Sequence, residues 1–456
     1  MANIEFGTDG FRAVIAEGFT FENVRRITCA VAKYLKHKNS TVLIGYDPRF
    51  MANKFANFCA ELLKERGYKV ILSSCVCPTP VLAYAATIVP NCGGAIMFTA
   101  SHNGFEYLGM KFIPPYGGPA TVEITDEIVA NIDYDTPLET GGEVVLKNFA
   151  PEYFAHIEKL IDFKKIADAK LKIIYDGLFS ASVGYFDKLL RTHKIEFEAY
   201  NAHHDPYFGG GQPEPIAKFM RKYKTGYVTV ANDGDADRYG VIDELGRWVN
   251  PNVVMALLLR YLVKKGAKGK LVKTVGASGL LDTCAEKLGV KTVTVPVGFK
   301  WVGEAMRQNE TILAGEDSGG LSIGGHIPEK DGLLASALIL EMLSSEGKTL
   351  VELQNELGHF VGAGFITDRI DIKLKGDGVD AKIKGITDKF LSFDEIAGFR
   401  VKGTLLLDGV KLLLDDDKTW ILMRKSGTEP LLRFYIESNQ ANKIVRIKDF
   451  IRNMAG

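Results

Sequence analysis

Gly93-Gly94-Ala95-Ile96-Met97-Phe98-Thr99-Ala100-Ser101-His102-Asn103-Gly104 carries an apolar run directly into a serine flanked by an imidazole and an amide. Gly93 to Phe98 reads as a buried strand, and the polar residues behind it as the loop at its carboxyl end. The same alternation continues outward. Thr41 to Tyr46 is a β-branched apolar run ending at Asp47-Pro48, Met51 to Arg66 has helical spacing closed by Gly67, Lys69 to Ser74 is a further strand and Val81 to Ile88 a helix. Strands alternating with helices predict a parallel sheet, and ligands gather at the carboxyl ends of such strands. Ser101 lies at one of them. Taken alone, a serine among polar neighbours after a strand is also an ordinary turn or helix cap.

The pattern restarts twice. After a polar boundary at Asp133 to Gly142 come the strand Leu171 to Tyr175, a helix from about Ser180, strands at Phe197 to Tyr200 and Tyr227 to Ala231, and a helix near Pro215 to Tyr223. After Asn250 follow a helix (Asn252 to Lys264), a strand (Leu271 to Val275), a helix (Leu280 to Leu288), a strand (Thr292 to Val295), a helix (Lys300 to Arg307) and a strand near Ile312 to Ala314. Beyond about Gly362, strands at Phe365 to Ile372, Val410 to Leu414, Thr419 to Met423 and Leu432 to Ile436 meet through short turns beside helices at Asp377 to Phe390 and from Ala441, which predicts an antiparallel α+β unit. The expected division is four units, 1–145, 146–250, 251–362 and 363–456: three similar α/β units with mixed, largely parallel sheets and one C-terminal α+β unit.

A chain of 456 residues is too long for one ordinary core, which agrees with that division. Lys plus Arg equals Asp plus Glu at 56 each, so no global field draws the chain to nucleic acid or an anionic membrane, and any phosphate affinity must be local. The apolar helix Val253 to Val263 contains Arg260 and is too short to span a bilayer. The first residues lack the basic start and apolar core of a secretory signal, so the expected compartment is the cytoplasm. Six cysteines without a C-x-x-C pair read as reduced, mostly buried thiols.

Three more loops carry chemistry-bearing residues. Asp233-Gly234-Asp235-Ala236-Asp237-Arg238 places carboxylates at alternate positions after an apolar strand, the oxygen donors that hard divalent cations select. A calcium EF-hand also offers such spacing and finds Glu244 at its twelfth position, but the bend-forming glycine is replaced by Arg238 and a strand precedes the loop. Arg424-Lys425-Ser426-Gly427-Thr428-Glu429-Pro430 surrounds a glycine with a guanidinium, an ammonium and hydroxyls, a set that suits a phosphate. Gly315-Glu316-Asp317-Ser318-Gly319-Gly320 suits sugar hydroxyls. Its Asp-Ser-Gly-Gly string also resembles the nucleophile region of trypsin-like proteases, so a serine hydrolase is the competing class. Glu316 stands where that family has glycine.

Together with Phe6-Gly7-Thr8-Asp9-Gly10-Phe11-Arg12, these strings resemble, in order and over essentially the whole chain, the α-D-phosphohexomutase superfamily of phosphoglucomutases and phosphomannomutases. The resemblance implies four domains around a central cleft and a phosphoryl group carried on Ser101. Mg2+ would be held by Asp233, Asp235 and Asp237 with a phosphoserine oxygen of Ser101. Arg12 and Arg238 would offset charge, and Lys111 with Arg12 would move the proton, helped by His102. Lys300, Glu316, Ser318, His326, Arg424, Ser426, Gly427, Thr428 and Arg433 would bind the phosphosugar. The implied reaction interconverts hexose 1-phosphate and hexose 6-phosphate through a hexose 1,6-bisphosphate, which would also activate the enzyme. Asp317 and Gly320 point toward glucose, with mannose possible; phosphoglucosamine is the alternative substrate. The expected partner is a small phosphosugar, not nucleic acid or membrane, and the expected state is monomer or dimer. Gly104 stands where the family usually has proline and Leu108 where asparagine is frequent, departures that bear on loop stiffness.

Overall fold

The computed structural model describes residues 4, 6–7, 10–35, 40–132, 137–215, 223–362, 364–374, 378–415, 418–425 and 431–455. The body of the helix expected near 215–223, and Ser426, Gly427 and Thr428, fall outside them.

The first sheet has seven strands, ordered Phe6–Gly7, Gly10–Val14, Tyr107–Ile113, Cys92–Phe98, Thr41–Tyr46, Lys69–Ser73 and Glu143–Lys147. Its last four run parallel, as the strand-helix alternation predicts, while Tyr107–Ile113 returns antiparallel beside Cys92–Phe98. Glu143–Lys147 closes this sheet and straddles the boundary drawn at 145. The second sheet is ordered Tyr239–Ile242, Val228–Asn232, Ile173–Asp176, Glu198–Tyr200, and the third Leu321–Ile323, Thr311–Gly315, Lys270–Thr274, Thr292–Val295. Each repeats one plan: parallel strands, then a single antiparallel return at one edge. The fourth sheet has six strands, ordered Ile366–Lys373, Leu431–Ser438, Trp420–Lys425, Val410–Leu414, Phe399–Leu405 and Glu395–Ile396, all antiparallel.

The helix expected from about Ser180 begins at Phe186 instead, because Leu178 and Phe179 take left-handed backbone (φ 44° and 58°) and a turn intervenes. Two helices not marked in the sequence reading, Gly332–Glu346 and Leu350–Val361, complete the middle of the chain. The first is apolar on nearly every face, so it carries no amphipathic stripe, and it is buried from Gly332 through Leu343. It packs against strands of the second and third sheets and the helices Phe163–Ala169 and Pro251–Lys264, so one core runs from Leu43 to Val361. Asp331 caps it by accepting from the Leu334 amide at 2.9 Å. All six cysteines are free thiols. No helix among the described residues is long and apolar enough to cross a membrane.

The fourth sheet joins the third through buried charge. Lys411 Nζ donates to the Val275 carbonyl at 2.9 Å and lies 3.7 Å from the centre of the Trp420 ring. Glu437 accepts from Trp420 Nε1 at 2.6 Å and from the Gly279 amide at 2.8 Å. Burial, with the nearby Lys273 ammonium, pulls the Lys411 ammonium down to about 7. A lysine depressed in the folded state binds fewer protons there than in the unfolded chain, so its burial penalty is complete below pH 7 and relieved as the pH rises toward the ordinary lysine value of about 10.4. Relative to Lys411→Met, the parent should therefore gain stability between about pH 7 and 10, by up to about 4 kcal/mol. Urea unfolding midpoints across that window test this, and parallel curves for the two proteins would refute it.

Candidate functional site

Ser101 follows the strand Cys92–Phe98 and is buried with φ at 51°, a left-handed conformation unusual for a residue with a Cβ. Its Oγ donates to Asp233 Oδ2 at 2.8 Å and lies 3.4 Å from His102 Nδ1. Asp233 begins the loop between Val228–Asn232 and its antiparallel return, so two different sheets meet at this contact. Arg238 closes the same loop by donating its amide to Asp233 Oδ1 at 2.9 Å. Gly234 lets the loop approach, since a Cβ there would lie 2.3 Å from the Ser101 carbonyl oxygen.

Asp233, Asp235 and Asp237 are fully buried, and each offers a carboxylate oxygen within 4.8 Å of the others. Asp235 Oδ2 accepts from Thr79 Oγ1 at 2.6 Å and Lys111 Nζ at 2.9 Å; Asp237 Oδ2 is 3.2 Å from Lys111 Nζ and 3.0 Å from Lys330 Nζ. The remaining oxygens, Asp235 Oδ1 and Asp237 Oδ1, are buried without a hydrogen-bond partner. Hard oxygen donors gathered in this way, with lone pairs left over, fit a divalent cation. Burial first, then the Asp237 and Asp235 charges, pushes the Asp233 carboxyl far up. Burial also acts to raise Asp235, but Lys111, the Thr79 hydroxyl and Lys330 outweigh it and hold that carboxyl below its ordinary range.

Positive groups ring the triad. Arg12, on Gly10–Val14, donates to Asn103 Oδ1 at 2.8 Å and to the Ala100 carbonyl at 3.3 Å, so it lies along the serine loop. Arg238 approaches Glu214 Oε2 at 3.6 Å, and the same oxygen is 3.8 Å from His102 Nε2. The Arg238 charge, followed by burial, holds His102 far below the ordinary imidazole range, so the ring is neutral at pH 7.

The loop Glu316–Gly320 joins Thr311–Gly315 to its antiparallel return, and the Gly319 carbonyl accepts from the Tyr239 amide at 2.9 Å, which ties it to the metal-type loop. Glu316 accepts from the Gly298 amide at 3.0 Å and from Ser318 Oγ at 3.5 Å. Burial raises the carboxyls of both Glu316 and Asp317. Lys300 stands two residues past Gly298, in the first turn of Phe299–Gln308, with Nζ 5.3 Å from the Trp301 ring centre. A Cβ on Gly320 would meet Lys330 Cδ at 2.5 Å, so glycine there clears the path by which Lys330 reaches Asp237. Arg424 pairs with Asp408 at 2.7 Å, and Asp408 accepts from the Val297 amide of the third unit at 2.8 Å. Arg433 lies opposite Arg424 in the sheet register.

His326 is placed apart from these groups. One ring nitrogen meets His156 Nε2 and the other Asp331 Oδ2, each at 2.9 Å, and Tyr153 also donates to Asp331 at 2.7 Å. Both nitrogens are thus committed to a contact between helix Ala150–Leu160 and the cap of the buried helix, not to the serine and the acidic triad. Conversely, Asp47, Arg49, Thr79, Glu214 and Lys330 sit at the centre and were not selected from the sequence. Asp47 and Arg49 had a readable signal, since Asp47-Pro48-Arg49 follows the carboxyl end of a parallel strand as Ser101 does.

Three sheets of one plan, each presenting a polar loop before its antiparallel return, and a fourth antiparallel sheet define a multidomain α/β enzyme built around a buried serine and an acidic triad. Family models agree with that architecture: phosphoglucomutase/phosphomannomutase α/β/α domain I matches residues 3–138, domain II 151–246, domain III 250–359 and the C-terminal domain 391–454. The chain is 30% identical over 451 residues to a phosphoglucomutase/phosphomannomutase of Thermococcus kodakarensis, covering 96% of this chain and 95% of that one. It is also 30% identical over 467 residues to a protein of Methanosphaera stadtmanae named as a probable phosphoglucosamine mutase, covering 98% of each. A phosphomannomutase-type crystal structure from Thermus thermophilus superimposes with a TM-score of 0.86 at 32% identity over 99% of both chains. The chain belongs to the phosphoglucomutase/phosphomannomutase family of the α-D-phosphohexomutase superfamily, whose members are intramolecular phosphotransferases.

Because burial and the Asp237 and Asp235 charges favour the protonated form of Asp233, cation binding there is coupled to release of a proton. Calorimetric Mg2+ affinity should accordingly fall as the pH is lowered toward the ordinary carboxylate range, with net proton release revealed by buffers of different ionisation heat. Asp233→Asn should bind Mg2+ more weakly and release no proton. Equal affinity over that fall in pH would contradict the raised Asp233 carboxyl.

Proposed function

We propose that the enzyme interconverts hexose 1-phosphate and hexose 6-phosphate by way of a phosphoserine at Ser101. The observation that carries the reading is the Ser101 Oγ to Asp233 contact at 2.8 Å, which sets a buried hydroxyl against an acidic triad lined with cations. Phosphoryl transfer asks chiefly for positioning and for charge that offsets the moving anion, and this site concentrates both. Asp233, Asp235 and Asp237 would hold Mg2+ together with a phosphoserine oxygen. Bound there, Mg2+ supplies positive charge that offsets the negative charge of the phosphoryl group in transfer.

In the first half-reaction the phosphorus of phospho-Ser101 is attacked by the free hydroxyl of a bound hexose phosphate. The new sugar O–P bond forms, the Ser101 Oγ–P bond breaks, the sugar hydroxyl proton passes to the protein and Ser101 is left to be reprotonated. Hexose 1,6-bisphosphate then turns in the cleft, and its other phosphoryl group returns to Ser101 by the same exchange in reverse. The bisphosphate also primes enzyme whose serine carries no phosphate. Arg12 and Arg238 offset charge along the path, and Lys111 and His102 are the groups proposed to handle the proton. Glu316 and Ser318 would take ring hydroxyls, and Lys300 with the phosphate loop, Arg424, Ser426, Gly427, Thr428 and Arg433, would hold the phosphate that stays behind. The four units at 1–145, 146–250, 251–362 and 363–456 would each contribute one loop to this cleft.

For the sugar, the relatives favour glucosamine phosphate ahead of the glucose reading drawn from Asp317 and Gly320, since several at 28–30% identity share the glucosamine name. Glucose and mannose phosphates are the second reading, supported by the Thermococcus kodakarensis relative and the Thermus thermophilus structure. Incubation with a hexose 1,6-bisphosphate and Mg2+ should add one phosphate to Ser101 by mass spectrometry. Ser101→Ala should keep its thermal transition while losing turnover by at least about a thousandfold. Turnover of glucosamine, glucose and mannose 1-phosphates under one set of conditions ranks the sugars, and an unphosphorylated Ser101 with no turnover of any of them would defeat the mutase reading.

A further inference from the structure

Asp47 and Arg49 lie beneath the serine loop with fully buried side chains, paired at 3.0 Å through Arg49 Nε. Arg49 spends the rest of its guanidinium on backbone carbonyls of that loop. Nη1 donates to Gly104 at 2.7 Å and Tyr107 at 3.2 Å, and Nη2 donates to Asn103 at 2.8 Å and to Ser101 itself. A guanidinium has five N–H donors, and here each has one acceptor, so none remains for a phosphate. The other side of Ser101 is held by the same pair. Its amide donates to Thr99 Oγ1 at 2.8 Å, and Thr99 Oγ1 donates to Asp47 Oδ2 at 2.6 Å.

Ser101 is therefore gripped at both its N–H and its C=O while it sits at φ 51°. A left-handed residue bearing a Cβ persists only where its surroundings over-determine it. The grip also sets the distance to the metal-type loop, because a Cβ on Gly234 would fall 2.3 Å from the Ser101 carbonyl oxygen and 3.3 Å from Arg49 Nη2. On the far side the Phe208 ring lies 4.7 Å from the guanidinium carbon, which closes the arginine in from the second unit.

We infer that Arg49, oriented by Asp47, is a positioning residue that holds Ser101 in its left-handed conformation and aims Oγ at the acidic triad without touching substrate. This rests on the mutase reading above. Its role differs from that of Arg12 and Arg238, which would act on charge in the cleft. The planar fork is essential to it, because an ammonium cannot serve four carbonyls and a carboxylate at once.

The test compares wild type with Arg49→Ala, Arg49→Lys and Thr99→Val, using steady-state turnover of the best hexose 1-phosphate and circular dichroism with thermal melts to confirm folding. Misplacing the reacting atom costs rate while leaving ground-state contacts intact, so both Arg49 variants should lose about a hundredfold in kcat with KM within about threefold of wild type. Added guanidinium should restore part of the Arg49→Ala rate, and methylammonium should not. Thr99→Val, which removes only the hydroxyl, should also lose kcat with KM unchanged and no response to guanidinium, and it carries the test if the Arg49 variants do not fold. Wild-type kcat in folded Arg49→Ala or, where those variants do not fold, in Thr99→Val would overturn the inference. So would a loss expressed mainly as raised KM, which would make Arg49 a phosphate ligand. Failure of the mutase reading is separate, because it appears in the wild type.

Discussion

Three carboxyl groups buried within 4.8 Å of one another are the constraint around which this molecule is assembled. Left alone they would repel strongly in a medium that screens poorly. The second unit supplies the carboxyls, but much of the offsetting charge comes from elsewhere, Lys111 from a strand of the first sheet and Lys330 from the segment leading into the long buried helix, while Thr79 at the start of a first-unit helix adds a hydroxyl donor. Breaking one partner of a buried pair typically costs about 3–5 kcal/mol. The electrostatics of the loop thus fasten the first and third units to the second, beside the apolar packing that joins them.

The three α/β sheets share more than a class. In each, the functional loop leaves the carboxyl end of a strand and is followed at once by an antiparallel return strand, which is the sheet edge in the second and third sheets and an inner strand in the first: residues 99–106, 233–238 and 316–320 occupy equivalent slots. An antiparallel return makes the connection short, so the loop stays over the strand end and does not wander across the sheet. Gly109, Gly234 and Gly319 mark what such crowding requires. A Cβ at Gly109 would lie 2.5 Å from the Thr99 carbonyl oxygen, and one at Gly319 would lie 2.7 Å from the Tyr239 carbonyl oxygen.

Much of this was legible in the sequence. Strand-helix alternation is a local signal, and the strands at Thr41 to Tyr46, Thr292 to Val295 and Val410 to Leu414 stand at their expected bounds. The acidic triad was readable because alternating carboxylates after an apolar strand are the donors a hard cation selects, whereas the serine, an ordinary turn residue by itself, stood out only in company with the other loops. The helix Gly332–Glu346 was not, since a segment buried on all sides lacks the periodicity that marks a surface helix. Lys330 and Glu214 escaped for a different reason: a single charged residue in a loop looks solvated until the chain brings an opposite charge to it. His326 differs again, for its expected part in the site came from the family resemblance, while the structure sets its two nitrogens against His156 and Asp331.

The raised Asp233 carboxyl connects these points to the proposed chemistry. Without a cation, burial and the neighbouring carboxylates favour a proton on Asp233, which would remove one negative charge from a pocket whose other carboxylates face Lys111, Lys330 and Arg238. A phosphoryl group on Ser101 would add roughly two negative charges near neutral pH. A divalent cation adds two positive ones, and expelling the Asp233 proton leaves a further carboxylate to hold it. The two additions cancel to within the one charge of that proton, whereas the phosphoryl group alone leaves the buried pocket about two charges out of balance, a state that low dielectric penalises heavily. On the proposed reading, phosphoserine and cation therefore stabilise one another. The rigid placement of Ser101 over Asp233 is the geometric condition for that mutual stabilisation, because it fixes where the two charges can meet.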